Sequence, residues 1–425
     1  MATVLESKNA WRAKSGAPKE WGGQLQSGAA NKYFIVSADA HINEPMDFLS
    51  SRVDKKFHDR LPRLKVDEDG TQWLLTDGWG PQPVKIASSR RDLMPTAEEF
   101  ESYEVLNPYT DRMEDEDVLR AAAGRDLAQR MRHCAEEGVD AEIVFPQKGL
   151  LAFATPEPEF AGQMCRAWNR WAKEALETVF DRVLPMALIA TGDVDAAIKE
   201  VQWAAANGFH GVLLPNRPIF SRVNEPRHPP EYNDKCFEPL WAAIAETGLP
   251  ITFHVSTGQD PRAVGGNGGA IINMVSHSVT TTMEPLVQII ASGVLERHRS
   301  LKVAAIESGI GWIHWMLTQM DLGYRAHHMW VRPVIPNLPS EYFRESCYAT
   351  FVEEPDALDM CVALGLEDNL MWSNDYPHHE GSFPHSTVTI ERSMGSLTDV
   401  QRRKVLGGNA AKLFKIKGYN GVSNA

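Results

Sequence analysis

The stretch Y-F-I-V-S-A-D-A-H-I-N-E-P, residues 33–45, joins a short apolar run to three potential metal ligands. The apolar run predicts a buried strand over residues 33–38. Asp39 and His41 are two residues apart, and alternation along a strand places such residues on the same face. If this strand belongs to a parallel α/β sheet, Asp39, His41 and Glu44 lie at the edge where such folds build their active sites.

Strand-like apolar runs alternate with helical patterns along the rest of the chain, which is typical of βα units around a parallel sheet. Strands are predicted at residues 33–38, 141–146, 183–189, 210–214, 250–254, 301–306, 346–350 and 369–373. Helices are predicted between them, at 157–181, 193–207, 234–247, 279–291, 310–325 and 354–364. Eight strands with intervening helices favour an α/β fold of the (β/α)8 TIM barrel type over an open sheet.

One connection is much longer than a βα unit requires, because about a hundred residues separate the first two predicted strands. Within it, K-V-D-E-D-G-T-Q-W-L-L-T-D-G-W-G-P (65–81) predicts a hairpin with a glycine turn. The predicted organisation is an N-terminal extension at 1–32, a metal-dependent barrel at 33–415 and a tail at 416–425. Residues 45–113 are predicted to form a cap-like insertion between strand 1 and strand 2.

The composition excludes several classes of protein. The 425 residues include 43 basic and 56 acidic side chains, and the resulting net charge of −13 disfavours binding to nucleic acid or anionic membranes. Five cysteines without a C-x-x-C pair indicate neither a disulfide framework nor a cysteine zinc site. The N-terminus has no apolar segment typical of a signal peptide, so a cytoplasmic location is expected.

Ligand-type side chains follow several predicted strands and should meet at one rim of the barrel. Imidazole and carboxylate groups bind divalent transition metals at about 2.0 to 2.2 Å. The candidate ligands are Asp39, His41, Glu44, His254, Glu307 and Asp375. Glu307 is either a ligand or a group that orients a ligand histidine, and Glu44 is either a ligand or the partner of an arginine such as Arg90. The set predicts one divalent ion, or two ions joined by a bridging group.

These motifs resemble those of the amidohydrolase-related barrels, which include aminocarboxymuconate semialdehyde decarboxylase. The resemblance covers about residues 33–415 and rests on D-A-H-x-x-E-P (39–45), F-H (253–254), E-S-G-I-G-W (307–312) and W-S-N-D-Y-P-H-H-E-G (372–381). It implies a metal-dependent hydrolase, decarboxylase or hydratase that acts on a small, often aromatic or carboxylated compound. It also implies that Asp39, His41, His254 and Asp375 are the metal ligands.

Two departures from the family pattern make the predicted ligand set rich in carboxylates. The more familiar H-x-H is D-A-H here, and Glu307 replaces a histidine that is often found after the sixth strand. Oxygen-rich sites favour manganese or iron relative to zinc. Two histidines with three or four carboxylates are also the ligands of diiron carboxylate proteins, so a nonheme diiron oxygenase is an alternative.

The leading hypothesis is an enzyme that hydrolyses or decarboxylates a small carboxylated or cyclic substrate, using a metal-activated water or a metal-chelated substrate. Asp375 would carry the proton, with help from His378 or His379. Tyr376 and His385 are further candidates for substrate contact. A barrel that binds a ligand without turnover is a second alternative, and loss of ligand residues would mark it. A small-molecule substrate is the expected partner, and assembly into a homo-oligomer such as a dimer stays open.

Overall fold

The computed structural model describes residues 33–45, 47–68, 72–83, 124–218, 229–258, 267–327, 335–378, 381–383 and 386–416. The predicted N-terminal extension, residues 84–123 of the long connection and residues 417–425 lie outside this description. None of the described helices has both the length and the apolar composition that a membrane span requires.

The described strands form two parallel sheets and one small antiparallel sheet. In chain order they are β1 (Val36–Ile42), β2 (Arg63–Val66), β3 (Gln72–Leu75), β4 (Gln82–Pro83), β5 (Ala141–Pro146), β6 (Val183–Pro185), β7 (Ala187–Leu188), β8 (Val212–Leu214), β9 (Ile251–His254), β10 (Val303–Ile306), β11 (Cys347–Phe351) and β12 (Leu370–Trp372). The parallel sheets have the orders β1-β5-β6 and β12-β11-β10-β9-β8-β7. Neighbouring strands in both sheets therefore follow the order of the chain, as expected for successive βα units.

Backbone hydrogen bonds join the two parallel sheets at both of their shared ends. The Met186 N–H donates to the Val144 carbonyl at 2.9 Å, which continues the pairing from β6 towards β7. At the other end, the His41 N–H of β1 donates to the carbonyl of Tyr376, just beyond β12, at 2.6 Å. The polar residues after β12 are consequently held against β1.

The described helices alternate with or follow the parallel strands, and the six predicted ones are found close to their predicted positions, as α2, α3, α4, α6, α8 and α10. They are α1 (Leu127–Glu137), α2 (Pro158–Ala175), α3 (Val194–Ala206), α4 (Glu238–Thr247), α5 (Gly269–Ile272), α6 (Thr280–Ala291), α7 (Val294–Arg297), α8 (Trp312–Ala326), α9 (Pro339–Ser346), α10 (Pro355–Ala363), α11 (Ser386–Met394), α12 (Asp399–Arg403) and α13 (Asn409–Leu413). Local sequence sets their limits. The Asp193 side chain accepts the Ala196 N–H at the start of α3, and Gly248 ends α4 in the left-handed conformation.

The first strand begins and ends later than predicted. It spans Val36–Ile42 instead of 33–38, because its pairing with β5 continues past the polar residues, with His41 opposite Phe145. All seven of its residues are buried. Asp39 and His41 therefore lie within a buried strand, where flanking strands fix their directions, and not in a loop beyond it.

The predicted hairpin in the long connection is confirmed. Strand β2 pairs antiparallel with β3, with Arg63 opposite Leu75, and β4 adds a third strand. The Asp77 carboxylate, just after β3, accepts hydrogen bonds from Arg60 at 2.7 Å and from the Thr155 hydroxyl at 2.5 Å. These bonds attach the small sheet, which we call the inserted sheet (β2, β3 and β4), to the loop that follows β5.

The ionisation of Glu137, at the end of α1, should make the free energy of unfolding depend on pH. Burial raises the pKa of this carboxyl to about 7, although the Ser386 hydroxyl and N–H favour its ionised form. Because the pKa is higher in the folded chain than its ordinary value of 4.5, the associated stabilisation is complete at low pH and is lost as the pH rises through 7. We expect this group to lower the free energy of unfolding by on the order of 3 kcal/mol over that range.

Urea unfolding of the Glu137→Gln variant across this pH range measures the effect, since the variant cannot titrate at this position. We expect its free energy of unfolding to fall less steeply with pH than that of the wild type. Glu136→Gln, which changes an exposed neighbour, is the matched control and should follow the wild type. Parallel curves for all three proteins would show that Glu137 ionises normally.

Candidate metal centre

Three predicted ligands meet in the buried interior. Asp39 and His41 project from the same face of β1, and His254 ends β9. The two histidine Nε2 atoms are 3.2 Å apart. The Asp39 Oδ1 atom lies 3.5 Å from Nε2 of His254 and 3.6 Å from Nε2 of His41. All three side chains have about 1% exposure, so solvent does not screen their charges.

Two carboxylates from later strands complete the cluster. Glu307 directly follows β10, and its Oε2 lies 3.1 Å from Nε2 of His254 and 3.8 Å from Nε2 of His41. Asp375 follows β12, and its Oδ1 lies 3.7 Å from Nε2 of His41. The structure thus brings together Asp39, His41, His254, Glu307 and Asp375, which are five of the six predicted ligands. Glu307 is the most exposed of them, with 21% of its side chain accessible.

The hydrogen bonds of the histidine rings direct their lone pairs into the cluster. His41 Nδ1 is 3.2 Å from the Pro146 carbonyl, and His254 Nδ1 is 2.7 Å from the Val255 carbonyl. A carbonyl oxygen only accepts, so Nδ1 carries the hydrogen in both rings. In the neutral rings, each Nε2 therefore presents a lone pair to the same point, and backbone support of this kind is typical of metal-binding histidines.

The pKa shifts show that the cluster has unbalanced negative charge. Burial and the nearby carboxylate of Asp375 raise the pKa of Glu307 well above its ordinary value. Burial lowers the pKa of His41, with a further contribution from His378. For His254, burial acts in the same direction, but the carboxylates of Glu307 and Asp39 outweigh it and raise the pKa. Buried carboxylates in one place are neutralised either by protonation, as the raised pKa of Glu307 indicates, or by a bound cation.

A divalent metal fits these residues. Two ligands that are each about 2.1 Å from an ion lie about 3.0 Å apart at a right angle and about 3.4 Å apart at the tetrahedral angle. The separations from the histidine Nε2 atoms to each other and to the neighbouring carboxylate oxygens run from 3.1 to 3.8 Å, which is close to that range. In addition, neither buried oxygen of Asp39 accepts a hydrogen bond within the described part of the chain. A cation is the partner that such an acceptor lacks.

The structure does not bring Glu44 into the cluster. Its two carboxylate oxygens accept the backbone N–H groups of Lys148 at 2.7 Å and Gly149 at 2.8 Å. Burial nevertheless raises the pKa of Glu44 to about 7. This geometry departs from the predicted role as a ligand, and the alternative partner, Arg90, lies outside the described residues. Glu44 instead fixes the loop that follows β5.

His378 lies directly beside the cluster, as predicted for a residue that assists Asp375. Its ring stacks on that of His41 with centroids 4.0 Å apart, and its Nδ1 is 3.0 Å from Asp375 Oδ1. The other ring nitrogen contacts Oε1 of Gln147. His379, the second predicted helper, lies outside the described residues, as does His385. Gln147 was not predicted as a site residue, although its position directly after β5 could have indicated it, because residues that follow parallel strands often line the active site.

Arg130 is a second residue that the sequence reasoning missed. It is fully buried behind the cluster, where it donates to the Glu142 carboxylate and to the His41 carbonyl, both at 2.7 Å. Its guanidinium also lies 5.1 Å from the centre of the Tyr376 ring. Tyr376 is therefore buried in this packing, 3.0 Å from His133 through its hydroxyl, and does not extend into the cluster. Arg130 supports both β1 and the segment that carries Asp375.

A carboxylate outside the cluster holds the loop that presents Glu307. The Glu354 side chain accepts the N–H groups of Ile310 at 3.1 Å and Gly311 at 3.0 Å, just before α8. Between Glu307 and this helix, Gly309 has a left-handed backbone with φ of 65°. A Cβ at this glycine would lie 2.1 Å from Oε1 of Glu354. Glu354 cannot move away without losing the N–H groups that it binds.

We therefore expect Gly309→Ala to lower the free energy of unfolding by more than about 2 kcal/mol, from backbone strain and the lost capping bonds. It should also weaken metal binding, because Glu307 shares the loop. The matched control is Gly208→Ala, where φ is 81° but no atom lies within 4 Å of the added Cβ. Urea unfolding and metal analysis measure both effects, and equal results for the two variants would contradict the role of Glu354.

Comparisons with known proteins agree with this geometry. The sequence profile of a family described as Amidohydrolase matches residues 38–416. A search of curated proteins finds no match. Among solved structures, an amidohydrolase from Mycobacterium avium subsp. paratuberculosis K-10 has a TM-score of 0.68 and 21% identity, over 91% of this chain and 100% of that chain.

Two decarboxylases have a similar fold. The 5-carboxyvanillate decarboxylase of Sphingomonas paucimobilis has a TM-score of 0.60 and 18% identity, over 91% of this chain and 100% of that chain. The dihydroxybenzoic acid decarboxylase of Polaromonas sp. JS666, solved with manganese and the inhibitor 2-nitroresorcinol, has a TM-score of 0.61 and 16% identity, over 91% and 98% of the two chains. Because the profile match covers most of its length, the chain belongs to the amidohydrolase family of metal-dependent enzymes.

Proposed function

We propose that this enzyme decarboxylates a small aromatic carboxylic acid. The observation that carries the proposal is the position of His378, stacked on His41 and 3.0 Å from Asp375, because it places a proton-carrying pair beside the metal ligands. The fold of decarboxylases that act on hydroxylated or methoxylated benzoates supports the choice of substrate class.

Asp39, His41, His254 and Asp375 would hold a divalent metal, with Glu307 as a fifth ligand. When bound, the metal supplies positive charge that orients and polarises the carboxylate of the substrate. We propose manganese or iron in preference to zinc, since three of these five ligands are carboxylates. The manganese in one structure of similar fold agrees with this preference.

The chain's own residues would supply the proton that decarboxylation consumes. The bond between the ring carbon and the carboxylate breaks, carbon dioxide leaves, and the ring carbon gains one proton in its place. His378 Nδ1 and Asp375 Oδ1, which lie 3.0 Å apart, would hold this proton, and the contact with Gln147 would orient the imidazole.

The proposed architecture is a closed (β/α)8 barrel at residues 33–415, with residues 45–113 as its cap. Support comes from the backbone hydrogen bonds that join the two parallel sheets at both ends. Asp39 and His41 lie within β1, His254 ends β9, and Glu307 and Asp375 follow β10 and β12, towards the ends of parallel strands where barrel enzymes carry their active sites.

The test is an assay of carbon dioxide release from a panel that includes 2,6-dihydroxybenzoate and 5-carboxyvanillate, using protein purified without added metal and then loaded with manganese. We expect release from at least one benzoate in the panel, dependent on the metal. Failure of every benzoate, together with hydrolysis of an amide or ester, would contradict the proposal.

A second candidate function has one specific observation in its favour. The cluster contains two overlapping groups of four potential ligands, which share His41 and Glu307 and include His378 in the second. Two groups are what a diiron oxygenase would need. Metal analysis separates the candidates: one ion per chain would contradict the oxygenase, whereas two irons with an absorption band that appears on exposure to oxygen would contradict simple decarboxylation.

A further inference from the structure

A cavity of about 190 Å³ lies beyond the ends of β8 and β9. A cavity of roughly 150 Å³ is enough to hold benzene, so this one is the size of a single aromatic ring. The residues around it include Trp79, Asn216, Ser256, Thr257, Gly258 and His277. Its polar and apolar walls suit a ring that carries polar substituents.

The cavity is tightly connected to a metal ligand. The Asn216 side chain donates to the His254 carbonyl at 3.0 Å, and the Thr257 hydroxyl donates to the same carbonyl at 2.7 Å. In the loop that follows β9, the backbone is left-handed at Ser256, with φ of 62°, and at Gly258, with φ of 83°. A Cβ at Gly258 would lie 3.3 Å from the backbone nitrogen of Arg217. A left-handed backbone at a residue other than glycine, as at Ser256, is a strained conformation that is often found at ligand sites.

Trp79 lines this cavity from the inserted sheet, which is separate from the two parallel sheets. It lies in the turn of the inserted sheet between β3 and β4, and its backbone N–H donates to the Thr76 carbonyl at 3.2 Å. Two residues earlier, Asp77 is bound by Arg60 and Thr155, which holds this turn against the loop after β5. The backbone that carries the Trp79 indole is thereby held in place, and the half-buried indole lines the cavity.

We infer that Trp79 determines specificity by limiting the cavity to substrates with one aromatic ring. An indole face stacks favourably on an aromatic ring, and its bulk excludes a second fused ring. The inference rests on the proposed function for the identity of the ring as substrate. It also gives the inserted sheet a role, because this small sheet carries the residue that limits the size of the substrate.

Two matched probes test this inference by calorimetry on the manganese-loaded protein: salicylate, with one ring, and 1-hydroxy-2-naphthoate, with two. We expect the wild type to prefer salicylate. In Trp79→Ala, the ratio of the two affinities should shift towards the naphthoate by about tenfold, and Trp79→Phe should restore most of the preference. Trp73→Ala is the control, because Trp73 is a half-buried tryptophan of the same inserted sheet that does not line the cavity.

An unchanged ratio in Trp79→Ala, an equal shift in Trp73→Ala, or a lack of binding of either probe to the wild type would overturn the inference. Metal content and thermal unfolding of each variant identify changes that come from misfolding. Binding that depends on Trp79 without carbon dioxide release from any benzoate would support this inference and contradict the proposed function. Release of carbon dioxide, together with an unchanged ratio of the two affinities in Trp79→Ala, would support the proposed function and contradict this inference.

Discussion

Replacement of His254 by alanine is expected to remove nearly all bound metal from the protein. His254 lies close to three of the other ligands, since its Nε2 is 3.2 Å from that of His41, 3.1 Å from Glu307 Oε2 and 3.5 Å from Asp39 Oδ1. The variant deletes a lone pair that faces the proposed ion and leaves the carboxylates with one imidazole. Because even residues that only orient a metal ligand change affinity by about 10 to 100-fold, we expect a loss of more than a hundredfold.

Inductively coupled plasma mass spectrometry on dialysed protein measures this loss. The control is His298→Ala, since His298 contacts Glu238 far from the cluster and its removal should leave metal content unchanged. Circular dichroism of both variants checks that they fold. Full metal content in His254→Ala would refute the proposed centre, whatever the activity of the variant.

Asp375→Asn is expected to lower kcat per bound metal by about 10² to 10⁴-fold, the range associated with general acid-base catalysis. Asp375 has a left-handed backbone with φ of 53°. Asparagine adopts this conformation readily, so the substitution removes the charge while it preserves the backbone. The loss of charge also removes the carboxylate partner of His378 Nδ1.

Activity has to be divided by metal content in this experiment, because Asp375 is itself a proposed ligand. His378→Gln provides the comparison: it should retain metal and still lose most of the activity, since His378 reaches the proposed proton but is not among the proposed ligands. If both variants retain full activity per bound metal, the proton comes from another group.

The positions of the strands could be predicted from sequence because each is a short apolar run between turn residues. Strand β5 is found at residues 141–146 as predicted, and β9 ends at His254 as predicted. The limits of β1 were wrong, because a polar Asp39 and His41 suggest the end of a strand. Pairing with β5 on a buried face outweighs that local signal.

Most of the site could also be predicted, since strand ends in such folds meet at one edge. What could not be predicted depends on contacts between distant backbone groups. The N–H groups of Lys148 and Gly149 bind Glu44, and nothing local to Glu44 indicates this. Arg130 was missed because a charged residue in a helical pattern usually indicates a solvated face, whereas here Glu142 neutralises it in the interior.

The left-handed backbone at Glu307 has a consequence for how the chemistry of this enzyme could diversify. Its φ of 57° is uncommon for glutamate, but histidine is among the residue types enriched in that conformation. Histidine is also the residue that resembling barrels often carry at this position. A single exchange of Glu307 for histidine would therefore make the proposed ligand set richer in nitrogen while the main chain keeps its conformation.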